Sequence, residues 1–454
     1  MANERKLFGT DGIRGRANDH PMTPEVALSL GRAVAHVFKR LDSRPRIVIG
    51  KDTRLSNYMF ETALQAGICS MGVDAVQLGV LPTPGIAFMT TGMRADAGVV
   101  ISASHNAYDD NGIKFFAADG FKLPDELEAQ IEDLIDSPEL LAHRAHGAEI
   151  GRAYRIQDAV GRYSVFLKST FPKQLDLQGL RVVVDCANGA AYKVAPEVLY
   201  ELGAEVIPLG TAPDGTNIND QSGALHPEIM ARKVRAMRAD IGIALDGDAD
   251  RCIICDSEGR IIDGDRILYM LARQMKDEGR LAHNTVIATI MSNLGLERGL
   301  AKMGIGLERV NVGDRYVVER MRQGGFNLGG EQSGHLIMTD FATTGDGIVA
   351  GLQVLALMAA TKKPLHELVA GFMPVPQVLL GLRVAEKPPL ETLAASSAAI
   401  TAAERILEGK GRVVVRYSGT EPKCRVMIEG DDEAQIQELA KGIVSAIKRE
   451  IGTA

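Results

Sequence analysis

Short apolar runs rich in β-branched residues recur along this chain, and longer segments with helical spacing separate them. Arg46-Ile-Val-Ile-Gly50 and Ala97-Gly-Val-Val-Ile-Ser102 read as buried strands, accompanied by helices over Glu25 to Arg40 and Phe60 to Met71. That alternation is the signature of α/β architecture. The pattern restarts at Leu180-Arg-Val-Val-Val-Asp185, after the polar stretch Lys173 to Gln178. It restarts again after the turn Asp256-Ser-Glu-Gly-Arg260, with Thr285-Val-Ile-Ala-Thr289 as the next core strand. A long apolar helix ends over Ala359 to Pro364, and near Pro374 to Pro376 the composition changes to a compact tail. The tail has strands at Arg412-Val-Val-Val-Arg416 and Arg425-Val-Met-Ile428, and a closing helix over Asp432 to Ile447. Three similar α/β domains and a smaller C-terminal α+β domain are expected, with boundaries at 1–156, 157–258, 259–373 and 374–454. At 454 residues the chain has the length for that many units.

Composition narrows the functional classes. With 46% hydrophobic residues the chain has material for several cores, and no run nears the roughly 18 apolar residues of a membrane helix. The first residues, Met1-Ala2-Asn3-Glu4-Arg5-Lys6, lack the apolar stretch of a secretory signal, so a cytoplasmic protein is expected. A formal net charge of −7 argues against nucleic acid or a membrane surface as partner, and makes local clusters of Arg and Lys informative. The five cysteines, Cys69, Cys186, Cys252, Cys255 and Cys424, are too sparse for a disulfide framework. Cys252 and Cys255 lie three apart in a strand-like run, so their sulfurs face opposite sides and read as buried structural groups.

Four segments carry chemistry. In Leu245-Asp246-Gly247-Asp248-Ala249-Asp250-Arg251, three carboxylates at alternate positions follow the apolar strand Ile241-Gly-Ile-Ala244. They can converge on one hard cation, and oxygen ligands suit Mg²⁺. A rival reading makes Asp246 the nucleophile of a Mg²⁺-dependent phosphatase of haloacid-dehalogenase type. Ile101-Ser102-Ala103-Ser104-His105-Asn106 presents a hydroxyl at another strand end, with Lys114 close behind as a cation or proton donor. Arg416-Tyr417-Ser418-Gly419-Thr420-Glu421-Pro422, with Arg425 beyond, groups arginines, hydroxyls and glycine as a phosphate grip. Gly329-Gly330-Glu331-Gln332-Ser333-Gly334-His335 offers groups that hydrogen-bond sugar hydroxyls, and a histidine that can handle protons. Gly345-Asp-Gly347-Ile-Val-Ala350 fits a dinucleotide fingerprint by letter, but it follows a polar turn and not a core strand, and is rejected.

These segments, in this order, resemble the α-D-phosphohexomutase superfamily. The opening Phe8-Gly9-Thr10-Asp11-Gly12-Ile13-Arg14-Gly15 and the loop Gly330 to His335 look like its bacterial phosphoglucosamine mutase branch. The resemblance implies mixed sheets and four domains around a central active-site cleft, each giving one loop. It implies that Ser104 carries a phosphoryl group, and that Asp246, Asp248 and Asp250 hold one Mg²⁺ with an oxygen of that phosphoserine. Glu331 and Ser333 would grip sugar hydroxyls. Arg416, Ser418, Gly419, Thr420 and Arg425 would bind the phosphate not being transferred. Lys114 and His335 are the proton-transfer candidates, Arg14 joins them as a catalytic cation, and Lys51, Arg54, His105, Arg251 and Arg315 complete the cleft. The implied reaction interconverts glucosamine 6-phosphate and glucosamine 1-phosphate through a 1,6-bisphosphate, feeding UDP-N-acetylglucosamine and cell-wall precursors. A hexosamine or hexose 1,6-bisphosphate would prime the serine. A phosphomannomutase or phosphoglucomutase of the same superfamily is the alternative, and a sugar-phosphate sensor without turnover is a further one. The expected partner is a small sugar phosphate, and a homodimer is an assembly left open. One departure stands out: where the family has Pro after Ser-His-Asn, this chain has Ala107, which removes a stiffening ring from the serine loop.

Overall fold

The computed structural model describes residues 7–9, 11–39, 45–135, 137–418 and 422–453. Its first sheet has six strands in the order Ile13–Arg16, Asp110–Ala117, Ala97–Ile101, Arg46–Lys51, Asp74–Val80, Ala153–Arg155. The last four run parallel, and Asp110–Ala117 turns antiparallel against Ala97–Ile101. The second sheet joins Arg181–Asp185, Glu205–Leu209 and Ile241–Leu245 in parallel, with Cys252–Asp256 antiparallel beside them. The third joins Thr285–Thr289 in parallel to Gly306–Val310 and Leu328–Gly330, with Leu336–Met338 antiparallel. The fourth is a three-stranded antiparallel sheet with Lys423–Gly430 central between Gln377–Arg383 and Gly411–Tyr417. Helices Ala394–Leu407 and Glu433–Ile451 pack with it.

The elements form where their residues dictate. The helix Pro24–Phe38 starts on the hydroxyl of Thr23, which accepts from the Val26 amide, and Pro24 takes the first turn, where no amide is needed. The second helix begins at Asn57, three residues before the apolar periodicity shows, because Asn57 turns its side chain back to Asp52. Helix Gly347–Thr361 is apolar on nearly every side and is buried along most of its length, as expected of a helix inside a core. It ends with Lys362 in a left-handed conformation, just before Pro364.

One apolar cluster runs continuously from Val48 through Leu167, Val182 and Ile243 to Leu355, so it fastens the first three sheets together. The fourth sheet has a separate core around Val426, Ile436 and Ile443. It is joined to the third mainly through polar contacts: Arg412 donates to the Ile290 and Ser292 carbonyls, and Asn293 exchanges hydrogen bonds with Val375. Ile101, Leu245, Gly330 and Tyr417 are strand ends, and each leads directly into one of the four chemical segments. Ligand sites of α/β proteins gather at such ends. Cys252 and Cys255 do face apart: Cys255 Sγ lies 4.0 Å from Met230 Sδ on one face, whereas Cys252 approaches Gly351 on the other. No helix among the described residues is long and apolar enough to cross a membrane.

Two glycines let the first pair of helices touch backbone to backbone. A Cβ at Gly67 would stand 2.3 Å from the Leu28 carbonyl oxygen, and one at Gly31 would stand 2.5 Å from that of Leu64. Gly67→Ala should therefore force the helices apart, at a cost of about 1–3 kcal/mol. A lowered denaturation midpoint checks this, and an unchanged midpoint would show that the helices can separate freely.

Candidate active site

Ser104 is buried at the end of the strand Ala97–Ile101, in a left-handed conformation with φ of 51°. A non-glycine residue holds that conformation only where its surroundings over-determine it. Here the Ser104 amide donates to Ser102 Oγ at 2.9 Å, and the Ser102 hydroxyl donates to Asp52 at 2.6 Å. Arg54 lies wholly buried behind the loop, with Nε on Asp52 at 2.9 Å. Its remaining nitrogens donate to the carbonyls of Ser104, Asn106, Ala107 and Asp110. Arg54 thus spends its donors inside the loop. The hold on the Ala107 carbonyl fixes the position where the family has proline. The Ser104 hydroxyl points at the second sheet and donates to Asp246 Oδ2 at 2.7 Å.

Asp246, Asp248 and Asp250 are all buried, and one ligand oxygen from each lies within 4.8 Å of the others. Burial, and then the neighbouring charges of Asp250 and Asp248, push the Asp246 carboxyl well above the usual carboxylate range. Burial and Asp248 raise Asp250 in the same way. Burial also works against Asp248, but Lys114, the Thr83 hydroxyl at 2.7 Å and Arg14 hold it below that range. Asp248 Oδ1 and Asp250 Oδ1 are buried without a hydrogen-bond partner. Converging carboxylates, mutual repulsion and two orphaned oxygens are what a hard dication resolves, so the residues fit Mg²⁺. Among the described residues no other cluster of His, Cys, Asp or Glu converges in this way. Gly247 is required between the ligands, since a Cβ there would stand 2.5 Å from the Ser104 carbonyl oxygen.

Cations surround the triad. Lys114 Nζ lies 2.9 Å from Asp11 and 3.2 Å from Asp248. Burial opposes its charge, but those two carboxylates hold the ammonium firmly, so Lys114 is a cation and not a free base. Arg14 pairs with Asp11 and approaches the Ala103 carbonyl at 3.5 Å. Arg251 donates its amide to Asp246 at 3.2 Å, and its charge faces Asp246, Asp250 and Glu331. His105 Nδ1 lies 3.3 Å from Ser104 Oγ, and burial plus Arg251 and Arg14 bring its pKa down to about 3, so the imidazole is neutral at pH 7. His335 stands buried with Nε2 at 3.6 Å from both Asp250 and Asp314, and neither ring nitrogen has a hydrogen-bond partner. Gly345 makes room for that ring: a Cβ there would stand 2.4 Å from it. The apparent dinucleotide fingerprint is therefore a packing requirement of His335.

Two further expected cleft cations have carboxylate partners. Lys51 pairs with Glu61 at 2.5 Å and lies over the Tyr58 ring. Arg315 is spent on Asp125, Glu128 and the Leu123 carbonyl, fastening the third unit to the first.

Glu331 Oε1 accepts from the Gly313 amide at 3.1 Å, and Ser333 donates to Oε2 at 3.4 Å. Arg416 and Arg425 are direct cross-strand partners. Burial, and then the Arg425 charge, lower the Arg416 pKa, and its Nε is buried without a partner among the described residues. Like charges directly opposite on a sheet are destabilising, and an anion between them removes the penalty. Ser418 is buried beside them, its amide on the Lys423 carbonyl and its own carbonyl held by Lys387. Gly419 and Thr420 lie outside the described residues.

Reading motifs alone missed Asp11 as a hub for Lys114, Lys122 and Arg14, although it stands in the quoted opening segment. It also missed Lys122, which links Asp11 to Asp314 across two sheets, and Thr83 and Asn219, which carry no local signal.

A divalent cation should raise the thermal midpoint. Saturation at 100 times the dissociation constant corresponds to about 2.7 kcal/mol. Asp250→Asn should abolish most of that gain. Because Asp246 and Asp250 hold their protons to higher pH than ordinary carboxylates, the gain should shrink as pH falls and grow as it rises. Midpoints measured with and without Mg²⁺ across pH check this, and a pH-independent gain would place the ion elsewhere.

Comparison with known proteins agrees with this geometry. Models of phosphoglucomutase/phosphomannomutase α/β/α domains I, II and III match residues 5–141, 162–259 and 263–375, and the model of the C-terminal domain matches 379–446. The chain is 58% identical to phosphoglucosamine mutase of Geobacter metallireducens, covering 99% of both chains. It is 59% identical to that of Magnetococcus marinus, covering 99% of this chain and 93% of the relative. A solved phosphoglucomutase/phosphomannomutase family protein from Burkholderia thailandensis superposes with a TM-score of 0.80 at 25% identity, covering 98% of this chain and 97% of that one. The fold is shared with Aspergillus fumigatus N-acetylphosphoglucosamine mutase, solved with GlcNAc-6P and magnesium, at a TM-score of 0.68 and 18% identity over 99% of this chain and 96% of that one. The chain belongs to the phosphoglucomutase/phosphomannomutase family.

Proposed function

We propose that this enzyme, an isomerase, interconverts glucosamine 6-phosphate and glucosamine 1-phosphate by way of a phosphorylated Ser104 and a glucosamine 1,6-bisphosphate. The observation that carries the reading is the Ser104 hydroxyl, held in a left-handed turn and aimed at a buried carboxylate triad with two orphaned oxygens. The names of the relatives, at 57–59% identity over nearly the whole chain, support the amino sugar as substrate.

Asp246, Asp248 and Asp250 would hold Mg²⁺, which when bound neutralises charge on the phosphoryl group in transfer. The chain's own residues do the rest. The phosphoserine O–P bond breaks as the sugar hydroxyl oxygen bonds to phosphorus, and Ser104 Oγ recovers a proton and returns to Asp246 as donor. The sugar hydroxyl gives up its proton to a basic group, and His335, with both nitrogens unpartnered, is the candidate. Lys114, held as an ammonium, is the candidate acid. Arg416, Ser418, Gly419, Thr420 and Arg425 grip the phosphate that stays, in either sugar orientation, while Glu331 and Ser333 hold hydroxyls. The bisphosphate then reverses and returns its other phosphate to Ser104. A hexosamine or hexose 1,6-bisphosphate primes the serine. The names of the relatives favour the mutase over a phosphatase with Asp246 as nucleophile. We also assign the activity to the cytoplasm: the five cysteines are all unpaired thiols, as in reducing compartments.

Phosphopeptide mapping after incubation with glucose 1,6-bisphosphate and Mg²⁺ should find phosphate on Ser104. Ser104→Ala should lose mutase turnover. An acyl phosphate on Asp246 with Ser104 unmodified, or full turnover by Ser104→Ala, would sink the mutase. Arg416→Ala should raise KM for glucosamine 6-phosphate on the order of tenfold to a hundredfold, the effect of one charged hydrogen bond. An unchanged KM would remove Arg416 from the phosphate grip.

A further inference from the structure

We propose that Asn219 is a positioning residue for the carrier serine, reaching from the second sheet's loops to fix the first sheet's loop from outside. This inference rests on the mutase reading of Ser104.

The Ser104 carbonyl accepts two hydrogen bonds, from Arg54 Nη2 at 3.0 Å and from Asn219 Nδ2 at 2.8 Å. The Asn106 carbonyl accepts from the same two nitrogens, at 2.9 and 3.0 Å. One pair of donors therefore grips both carbonyls that bracket the loop's apex. Arg54 belongs to the loop's own unit, so it travels with the loop. Asn219 does not. Its amide donates to the Ala187 carbonyl at 2.9 Å, its backbone is left-handed at φ of 60°, and it is buried. Asparagine is among the few residues that visit this conformation readily.

The same side chain also touches the metal-binding turn. A Cβ added at Gly247 would stand 2.8 Å from Asn219 Nδ2 as well as 2.5 Å from the Ser104 carbonyl. The carboxamide thus sits where the serine loop, the Asp246–Asp248 turn and the 219 loop meet. Two carbonyl oxygens face it, so the nitrogen must point at them. Its effect on chemistry passes through the Ser104 backbone. Without that hydrogen bond the left-handed serine relaxes toward an ordinary conformation, and Oγ swings away from Asp246. Substrate contacts come from other loops and stay as they were. The signature is a loss in kcat without a matching change in KM.

The experiment compares full-length Asn219→Ala, Asn219→Asp and Thr53→Ala. Thr53 makes a different contact between the same two units, its hydroxyl donating to the Asn188 carbonyl at 2.6 Å. Kinetics with glucosamine 6-phosphate, the ³¹P shift of the phosphoserine and the thermal midpoint are read for each. Asn219→Ala should lower kcat by about tenfold or more, since misplacement by an ångström costs up to a hundredfold, with KM within about twofold. Asn219→Asp, which turns an oxygen toward two carbonyls, should lower it further, and both should move the ³¹P shift. Thr53→Ala should keep kcat and shift. An unimpaired Asn219→Ala, an equal loss in Thr53→Ala, or collapse of the fold in both Asn219 variants overturns the proposal. Wild type that carries no phosphate on Ser104 overturns the mutase reading and this inference together.

Discussion

Three carboxylates confined within 4.8 Å inside the protein repel one another, and much of the site is arranged around that repulsion. Lys114, Arg14 and Arg251 crowd in to offset it, and Asp11 in turn holds Lys114 and Arg14. The Ser104 hydroxyl donates into the same cluster, so its position is fixed by those charges. In two of the carboxyls burial and that repulsion raise the pKa above the ordinary carboxylate range. A dication would bring them to full charge and turn mutual repulsion into shared ligation.

The charges also tie separate units together. Lys122 bridges Asp11 and Asp314, and Arg315 reaches Asp125 and Glu128, so the first and third units are fastened on the side of His335. Asn219 and Thr53 fasten the first and second. The fourth unit has its own core and joins the third largely through hydrogen bonds. The first three units thus share a core and cross-unit ion pairs, whereas the fourth keeps a core of its own.

Much of this was legible in the residues. The strand runs at 46–50, 97–102, 180–185 and 285–289 lie where the strands form, because buried parallel strands need continuous apolar sequence. The Asp-x-Asp-x-Asp spacing announces convergent oxygens because all three follow one strand end. Arg54, Asn219 and Lys122 were illegible in their roles. Their partners lie 52, 115 and 192 positions away, and nothing local separates a loop-clamping arginine from a substrate-facing one. The acid partners of Arg315 are hidden for the same reason, since only the packed structure reveals them. Gly345 is a similar case: its neighbours spell a nucleotide motif, while its purpose is to leave space for an imidazole.

The opposed arginines Arg416 and Arg425 have a consequence for the enzyme's surroundings. Their tension is relieved by a small dianion whatever is attached to it, because charge alone supplies the relief. A grip that took either end of the sugar, as proposed, would take phosphate with no sugar at all. On the proposed function, free phosphate would compete for this corner of the cleft, and the ambient phosphate level would act as a brake on turnover.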